Sequence, residues 1–187
     1  MKKMLAVNGS PKKNGANAQI IEKAAELASK YDYETEIINV YDLGLGGCKS
    51  CMACKKTGKC VQKDQMNEIL DKIKESDMLL FATPVYFSSE TGPLKTFLDR
   101  MYPLVTENEK GISADLGKVN KFSVVVTCNS PDGLLYSSIM TRYINTMKSF
   151  GISDSSGSVI PGVGMTDFIN SDYVEGYLNS IEFQLEM

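Results

Sequence analysis

The most distinctive reactive residues of the chain are four closely spaced cysteines, Cys48, Cys51, Cys54 and Cys60. They span thirteen residues, so one compact loop over residues 47–60 could direct all four sulfurs toward one centre. Four thiolates can bind an iron–sulfur cluster or a zinc ion, and neighbouring thiols can also stay free or exchange disulfides. The spacing favours a cluster over zinc, because structural zinc loops usually place their two CxxC pairs farther apart. Four lysines flank the thiols and would favour their thiolate form: Lys49, Lys55, Lys56 and Lys59.

A second segment with chemical potential is the loop of residues 8–17, Asn-Gly-Ser-Pro-Lys-Lys-Asn-Gly-Ala-Asn. It precedes a helical pattern, and the free N–H groups at the start of a helix attract an anion. Ser10, Asn14 and Asn17 add side-chain donors, and Gly15 permits close approach of a ligand to the backbone. The loop contains neither GxGxxG nor GxxxxGK[ST], which argues against a dinucleotide fold and against an NTPase. A capped turn without a ligand would use the same residue types.

A third loop, residues 83–92, carries the adjacent aromatic residues Tyr86 and Phe87 among small polar ones. A planar ligand could stack on such rings and accept hydrogen bonds from the backbone amides. The alternative is that both rings fill the core beneath a turn. Two ligand-type loops at one edge of a sheet would favour the planar ligand.

These loops must be positioned by an alternation of apolar strands and amphipathic helices. Strands are predicted at 3–7, 34–40, 77–83, 121–127 and 158–161, and helices at 18–30, 64–76, 92–102, 134–150 and 172–184. Five strands, each followed by a helix, predict an α/β three-layer fold with a five-stranded parallel sheet. Ligands of such sheets bind at the carboxyl ends of the strands, near the point where the strand order reverses. The loops after the first, third and fourth strands therefore form one candidate site.

Composition excludes several classes of function. The 187 residues suit a single domain, 1–187, without a linker. A net charge of −3 with scattered Lys and Arg argues against nucleic acid as a partner. No apolar run approaches the roughly 18 residues of a membrane span, and the short apolar run 4–7 is no signal peptide, so we expect a cytoplasmic location. The absence of histidine excludes His-based acid–base catalysis and His-ligated metals, and leaves the chemistry to cysteines, carboxylates or a cofactor.

Two of the loops resemble those of a known family. The chain resembles the NADPH-dependent FMN reductase group of flavodoxin-like proteins in two segments. The first is Gly9-Ser10-Pro11 with the Lys/Asn/Gly run that follows it, and the second is residues 83–87 leading into 92–100. The resemblance extends over nearly the whole chain and implies a flavodoxin-like fold that binds FMN. It implies that the first loop holds the FMN phosphate, through Ser10, Lys12, Asn14, Gly15, Asn17 and Ala18. It also implies that the flavin ring is lined by Pro84, Val85, Tyr86 and Phe87.

The same resemblance extends to the fourth-strand loop and to the cysteines. Cys128, Asn129 and Asp132 would face the flavin ring from its other side, although Cys128 is also typical of a small buried residue. Ala18 departs from the family, which often has a hydroxyl residue there, so one phosphate contact is missing or comes from the backbone. The cysteine spacing resembles that of the iron–sulfur flavoproteins, a branch with a [4Fe-4S] cluster beside FMN. Free thiols and zinc stay open as alternatives.

Two functions follow from this reasoning. The first is an FMN-dependent oxidoreductase that takes electrons from NAD(P)H or from a redox protein and passes them to an acceptor that the sequence does not identify. The second is a flavodoxin-like electron carrier without a substrate of its own, for which the weak negative charge gives little support. Because related flavoproteins are commonly dimers or tetramers, the resemblance also implies a homodimer or homotetramer.

Overall fold

The computed structural model describes residues 1–108, 111–165 and 167–187. Its strands are β1 (Lys2–Asn8), β2 (Tyr33–Asn39), β3 (Met78–Pro84), β4 (Val105–Asn108), β5 (Gly111–Ala114), β6 (Lys121–Thr127) and β7 (Asp154–Ile160). Five of them form one parallel sheet in the order β2-β1-β3-β6-β7, so the direction of winding reverses between β1 and β3. This is the order of the flavodoxin-like fold, and it confirms the predicted five-stranded parallel sheet.

Helices cover both faces of the sheet. They are α1 (Ala16–Ser29), α2 (Cys54–Thr57), α3 (Met66–Glu75), α4 (Gly92–Arg100), α5 (Ser137–Ser149) and α6 (Asp172–Glu186). The apolar faces of α1 and α6 pack on one side of the sheet, and those of α3, α4 and α5 pack on the other. The three-layer architecture is therefore confirmed. Within the described ranges, no helix is both long enough and apolar enough to cross a bilayer.

The central strands are apolar on both faces because helices cover both faces. Every residue of β6 is buried, and Phe81 of β3 meets Phe97, Phe122 and Tyr143 edge to face, at ring-centroid distances of 6.0, 5.3 and 6.2 Å. Edge-to-face pairs of this kind add to the stabilisation that burial provides. This core fixes the carboxyl ends of β1, β3 and β6, where the candidate loops begin.

The structure differs from the sequence prediction at several elements, among them the short helix α2, which was not predicted. β7 begins at Asp154, four residues before the predicted start, because its polar residues are satisfied by α6: Ser156 Oγ donates to Gln184 Oε1 at 2.7 Å. The predicted fourth helix begins as a 3-10 turn, Leu134–Tyr136, and becomes α5 only at Ser137. The antiparallel pair β4–β5 was not predicted, since its four-residue strands carry mostly polar residues.

Candidate functional site

The loop after β1 is fixed to the neighbouring strand by its backbone. Gly9 N donates to Ala82 O at 2.7 Å, and Gly9 O accepts a hydrogen bond from Thr91 Oγ1 at 2.7 Å. A Cβ on Gly9 would lie 2.9 Å from Ala82 O, so only glycine allows the ends of β1 and β3 to approach this closely. Ser10 N then donates to Asn8 Oδ1 at 3.0 Å. The beginning of the loop is therefore rigid before any ligand binds.

The other end of this loop presents unsatisfied donors at the start of α1. Gly15 is the N-cap, and no side chain in the described ranges caps the helix, which argues against the interpretation in which Asn and Ser close the helix. The first N–H groups of α1 have no intrahelical acceptor. Asn17 is 1% exposed, and its Oδ1 accepts from Thr127 Oγ1 at 2.5 Å. Its Nδ2 has no partner in the part of the chain that the structure describes. An anion at this point would satisfy these donors.

The remaining residues predicted for the phosphate differ in exposure. Ser10 is buried, and its Oγ accepts from Lys12 N at 3.2 Å. Lys12 and Asn14 are exposed at the rim of the loop. Ala18 is buried and has no side-chain donor, so its contribution would be limited to its backbone N–H.

The loop after β3 ends in a tight two-residue turn that carries the aromatic pair. Tyr86 N donates to Ser89 O at 2.9 Å, and Ser89 N donates to Tyr86 O at 3.2 Å. Phe87 and Ser88 have φ of +52° and +65°, the left-handed values of a type I′ turn. Phe87 is fully exposed and Tyr86 is 45% exposed. The alternative in which both rings fill the core is therefore wrong, and the two rings stand free at the edge of the sheet.

The turn is connected to the same sheet edge on both sides. Val85 N donates to Thr127 O at 2.8 Å, and Thr91 N donates to Thr83 Oγ1 at 3.3 Å. Glu90 is buried behind the turn, where its carboxylate accepts from Ser89 Oγ at 2.6 Å and forms an ion pair with Arg142. Pro84 and Val85 are half-buried beneath the turn.

The loop after β6 separates into a buried residue and two exposed ones. Cys128 is buried. Its backbone N donates to Ile160 O at 3.0 Å, and its backbone O accepts from Val163 N at 3.1 Å. Burial raises the pKa of the Cys128 thiol. Asn129 and Asp132 are exposed, and Asp132 Oδ1 accepts from Leu134 N at 2.9 Å. The structure thus brings the three loops to one edge, joined by the bonds Thr91–Gly9, Thr127–Asn17 and Val85–Thr127.

The four clustered cysteines line a single cavity, together with Arg100 and Tyr102. Cys48 and Cys51 are exposed, while Cys54 and Cys60 are half-buried. Within the described ranges, no three Cys, His, Asp or Glu side chains are arranged to hold one metal ion. A zinc ion needs four ligands around one point, whereas the four thiolates of a [4Fe-4S] cluster are distributed over the cluster. This donor set fits a cluster or free thiols better than it fits a closed zinc site.

An ion pair beside this cavity, of which only Arg100 lines it, was missed by the sequence analysis. Arg100, the last residue of α4, is 1% exposed, and its guanidinium forms an ion pair with Asp64 at 2.8 Å. The hydrogen bond from Arg100 holds the pKa of the Asp64 carboxyl below its usual value. Sequence alone gave no signal for this pair, because an arginine at a helix end is usually solvated.

One of the flanking lysines has a different role from the one predicted. Lys55 Nζ donates to Tyr102 O at 2.6 Å and to Val105 O at 2.5 Å, and it lies 3.7 Å from the centroid of the Tyr102 ring. Its ammonium group therefore holds the cysteine loop against the segment after α4 instead of facing the thiols.

With strand order 2-1-3-6-7 and ligand-type loops at the switch point, the chain is a flavodoxin-like α/β protein. Residues 2–119 match the family model of the NADPH-dependent FMN reductases, and the chain belongs to this family. An iron-sulfur flavoprotein of Archaeoglobus fulgidus is 42% identical over 98 residues, which are 52% of this chain and 48% of the relative. Another, from Methanocaldococcus jannaschii, is 36% identical over 102 residues, 54% of this chain and 53% of the relative. The chain thus spans about half the length of these relatives.

A longer match and two solved structures complete the comparison. A further iron-sulfur flavoprotein of Archaeoglobus fulgidus is 26% identical over 175 residues, covering 92% of this chain and 85% of the relative. An FMN-dependent NADH-azoreductase from Bacillus anthracis, solved in complex with FMN, superposes with a TM-score of 0.72 at 15% identity over 100% of this chain and 98% of its own. An NAD(P)H:quinone oxidoreductase from Methanothermobacter marburgensis superposes with a TM-score of 0.70 at 14% sequence identity. The superposition covers 98% of this chain and 97% of that structure. At these identities the two structures establish the shared fold.

Proposed function

We propose that this chain is an FMN-dependent oxidoreductase that takes electrons from NAD(P)H or from a redox protein and delivers them to a further acceptor. The observation that carries the proposal is the group of unsatisfied donors at the start of α1, where the buried Asn17 Nδ2 lies without a partner among the described residues. A phosphate monoester would satisfy that amide and the helix N–H groups together. Family membership supplies the second support.

The residues of the three loops have separate tasks in this proposal. The helix N–H groups and Asn17 bind the phosphate, with Ser10, Lys12, Asn14, Gly15 and Ala18 around it. The turn of Pro84, Val85, Tyr86 and Phe87 lines the ring and excludes water from it, while Cys128, Asn129 and Asp132 face it from β6. Bound FMN supplies the electron-transfer chemistry, which the surrounding protein tunes.

We also propose that Cys48, Cys51, Cys54 and Cys60 bind a [4Fe-4S] cluster. Their shared cavity, the short spacing and the names of the relatives support this assignment. Such a cluster transfers single electrons at a potential that its protein surroundings set.

The cofactor content is tested on protein purified without oxygen. We expect flavin absorption, FMN released on denaturation, and about four irons with matching acid-labile sulfide per chain, as a Cys₄ cluster requires. Cys54→Ser should lose the iron and keep the FMN. Cys128→Ser is the matched control for the iron content, because it removes the one cysteine outside the loop and should keep the iron. Absence of iron after anaerobic reconstitution would contradict the cluster, and absence of FMN would contradict the flavin site.

Turnover distinguishes an enzyme from a carrier. The purified protein should oxidise NADPH or NADH on its own with an artificial acceptor such as a quinone. Bound FMN without any such turnover would instead identify a flavodoxin-like carrier that needs a protein donor.

The proposal includes a homodimer or homotetramer in the cytoplasm. Large apolar side chains stand exposed beside the proposed flavin edge, including Phe87, Leu134 and Leu135. A second copy that covers them would remove apolar area from water. Light scattering on the FMN-loaded protein checks the assembly, and a monomer at micromolar concentration would contradict it. The cytoplasm suits the proposal because its thiols stay reduced there.

A further inference from the structure

The guanidinium of Arg100 makes four hydrogen bonds around the cysteine cavity. Nη1 donates to Asp64 Oδ2 and to Gly46 O, both at 2.8 Å. Nη2 donates to Asp64 Oδ1 at 2.9 Å and to Cys60 Sγ at 3.3 Å. Arg100 and Asp64 therefore form a bidentate ion pair. One further N–H of the guanidinium is directed at the sulfur of Cys60. The side chain is 1% exposed, so water does not compete for these bonds.

The bond to Cys60 is unusual because a neutral thiol is a weak acceptor. A sulfur that carries negative charge, as a thiolate bound to iron does, accepts a hydrogen bond more strongly, and a charged donor strengthens it further. A buried guanidinium is costly unless it is paired and hydrogen-bonded, and Arg100 Nε has no partner among the described residues, so negative charge on the nearby sulfur would offset part of this cost. The arrangement is therefore better matched to a charged sulfur ligand than to a free thiol.

Arg100 also ties the cysteine loop to α4 at both ends. Gly46 immediately precedes the loop of residues 47–60, and Asp64 follows it by four residues. The nine residues of α4 run from Gly92, three residues after the turn of Tyr86–Ser89, to Arg100, a length of about 13 Å. One rigid helix thus connects the proposed ring site to the cysteine cavity.

We propose that Arg100 is a positioning residue of the cysteine cavity that donates Nη2–H to the Cys60 sulfur and raises the reduction potential of the cluster bound there. The inference rests on the proposed function, since it requires the cluster. Reduction adds negative charge to the cluster, and a donor at a ligand sulfur stabilises the more negative form. Asp64 orients the guanidinium and offsets part of its charge.

The test measures the midpoint potential of the cluster in anaerobically reconstituted protein, by redox titration followed by electron paramagnetic resonance. Arg100→Lys keeps a cation but loses the planar fork of donors. It should keep iron and FMN. At a fixed solution potential, the ratio of reduced to oxidised cluster should shift about tenfold toward the oxidised form, which corresponds to a midpoint potential lower by about 59 mV for one electron. Asp64→Asn leaves the guanidinium less compensated and should shift the potential in the opposite direction.

Lys59→Gln is the control, because Lys59 is an exposed cation beside Cys60 whose field solvent screens. Its shift should be smaller than that of Arg100→Lys. Equal potentials in wild type and Arg100→Lys would overturn the role of Arg100 while leaving the cluster in place. If Arg100→Lys does not fold, Asp64→Asn provides the test instead. A midpoint potential of Asp64→Asn that equals that of the wild type or is more negative would overturn the inference. A wild-type protein that binds no iron would overturn the cluster, and this inference with it.

Discussion

The edge of the sheet and the cysteine loop are built by different means. At the edge, Gly9, Val85 and Thr91 are bonded to neighbouring strands, and Asn17 is oriented by Thr127. The cysteine loop 47–60 is largely exposed, and its backbone passes through left-handed conformations at Ser50 and Met52. A few side-chain bonds attach it, among them the one from Asn67 Nδ2 to Cys60 O at 2.8 Å. The sheet therefore preorganises one site, whereas the proposed cluster site is attached to the rest of the chain mainly through side chains.

The largest effect is expected from placing a charge inside the preorganised edge. Asn17→Asp replaces the buried amide with a carboxylate beside the proposed phosphate position. At about 4 Å and an effective dielectric near 20, one pair of like charges costs about 4 kcal/mol, roughly a thousandfold in affinity. Isothermal titration of the apoprotein with FMN measures the loss.

Gln19→Glu is the matched control for this prediction. It introduces the same charge two residues further along α1, at a half-buried position. FMN affinity should fall far less than in Asn17→Asp. Equal losses of FMN affinity in both variants would mean that any negative charge near the start of α1 weakens FMN binding. Unchanged affinity in Asn17→Asp would show that Asn17 does not belong to the site.

A second prediction concerns order in the cysteine loop. Removing iron from the FMN-loaded protein with a chelator should speed tryptic cleavage after Lys56 and Lys59 about tenfold, which corresponds to about 1.4 kcal/mol of lost local protection. The reason is that both lysines are exposed and that the only helix of this segment, α2, is a single four-residue turn among the described residues. Cleavage is followed by mass spectrometry with FMN absorbance as a check.

Cleavage after Lys23, inside α1, serves as the reference site, and its rate should not change. A uniform increase at all three lysines would show that iron stabilises the whole chain. No increase at Lys56 and Lys59 would show that the order of the loop does not depend on iron.

The same contrast explains what the sequence could predict. Apolar runs such as 77–83 mark buried parallel strands, and the loops that follow them must then share one edge. The sequence therefore predicts that the aromatic pair Tyr86 and Phe87 lies at this edge, and both rings are exposed there. The pair Arg100 and Asp64, 36 positions apart, was missed because a charged residue carries no sequence mark that separates a buried ion pair from a solvated side chain.

A third, smaller effect is expected from the aromatic turn. Tyr86→Ala should weaken FMN binding by about 1 kcal/mol, roughly fivefold, because it removes one aromatic contact from an exposed position. The free energy of unfolding of the apoprotein should change little. Tyr173→Ala, at another exposed tyrosine, is the control and should leave both quantities unchanged. Retained FMN affinity with a loss of cooperative unfolding would make Tyr86 a structural residue.

The smallest predicted effect compares backbone strain in the two regions. Ser88 and Ser50 both adopt a left-handed conformation, with φ of +65° and +51°, which glycine adopts without steric cost. Ser88→Gly should raise the free energy of unfolding of the apoprotein by about 0.5 kcal/mol, since relief of strain exceeds the added entropy of the unfolded chain. Ser50→Gly should give no gain, because a weakly attached loop opens before the chain unfolds and its strain does not enter the global transition. Urea denaturation measures both, with Ser88→Ala as the control that keeps the strain. An equal gain at Ser50 would mean that the cysteine loop unfolds together with the sheet, so that both sites would be preorganised.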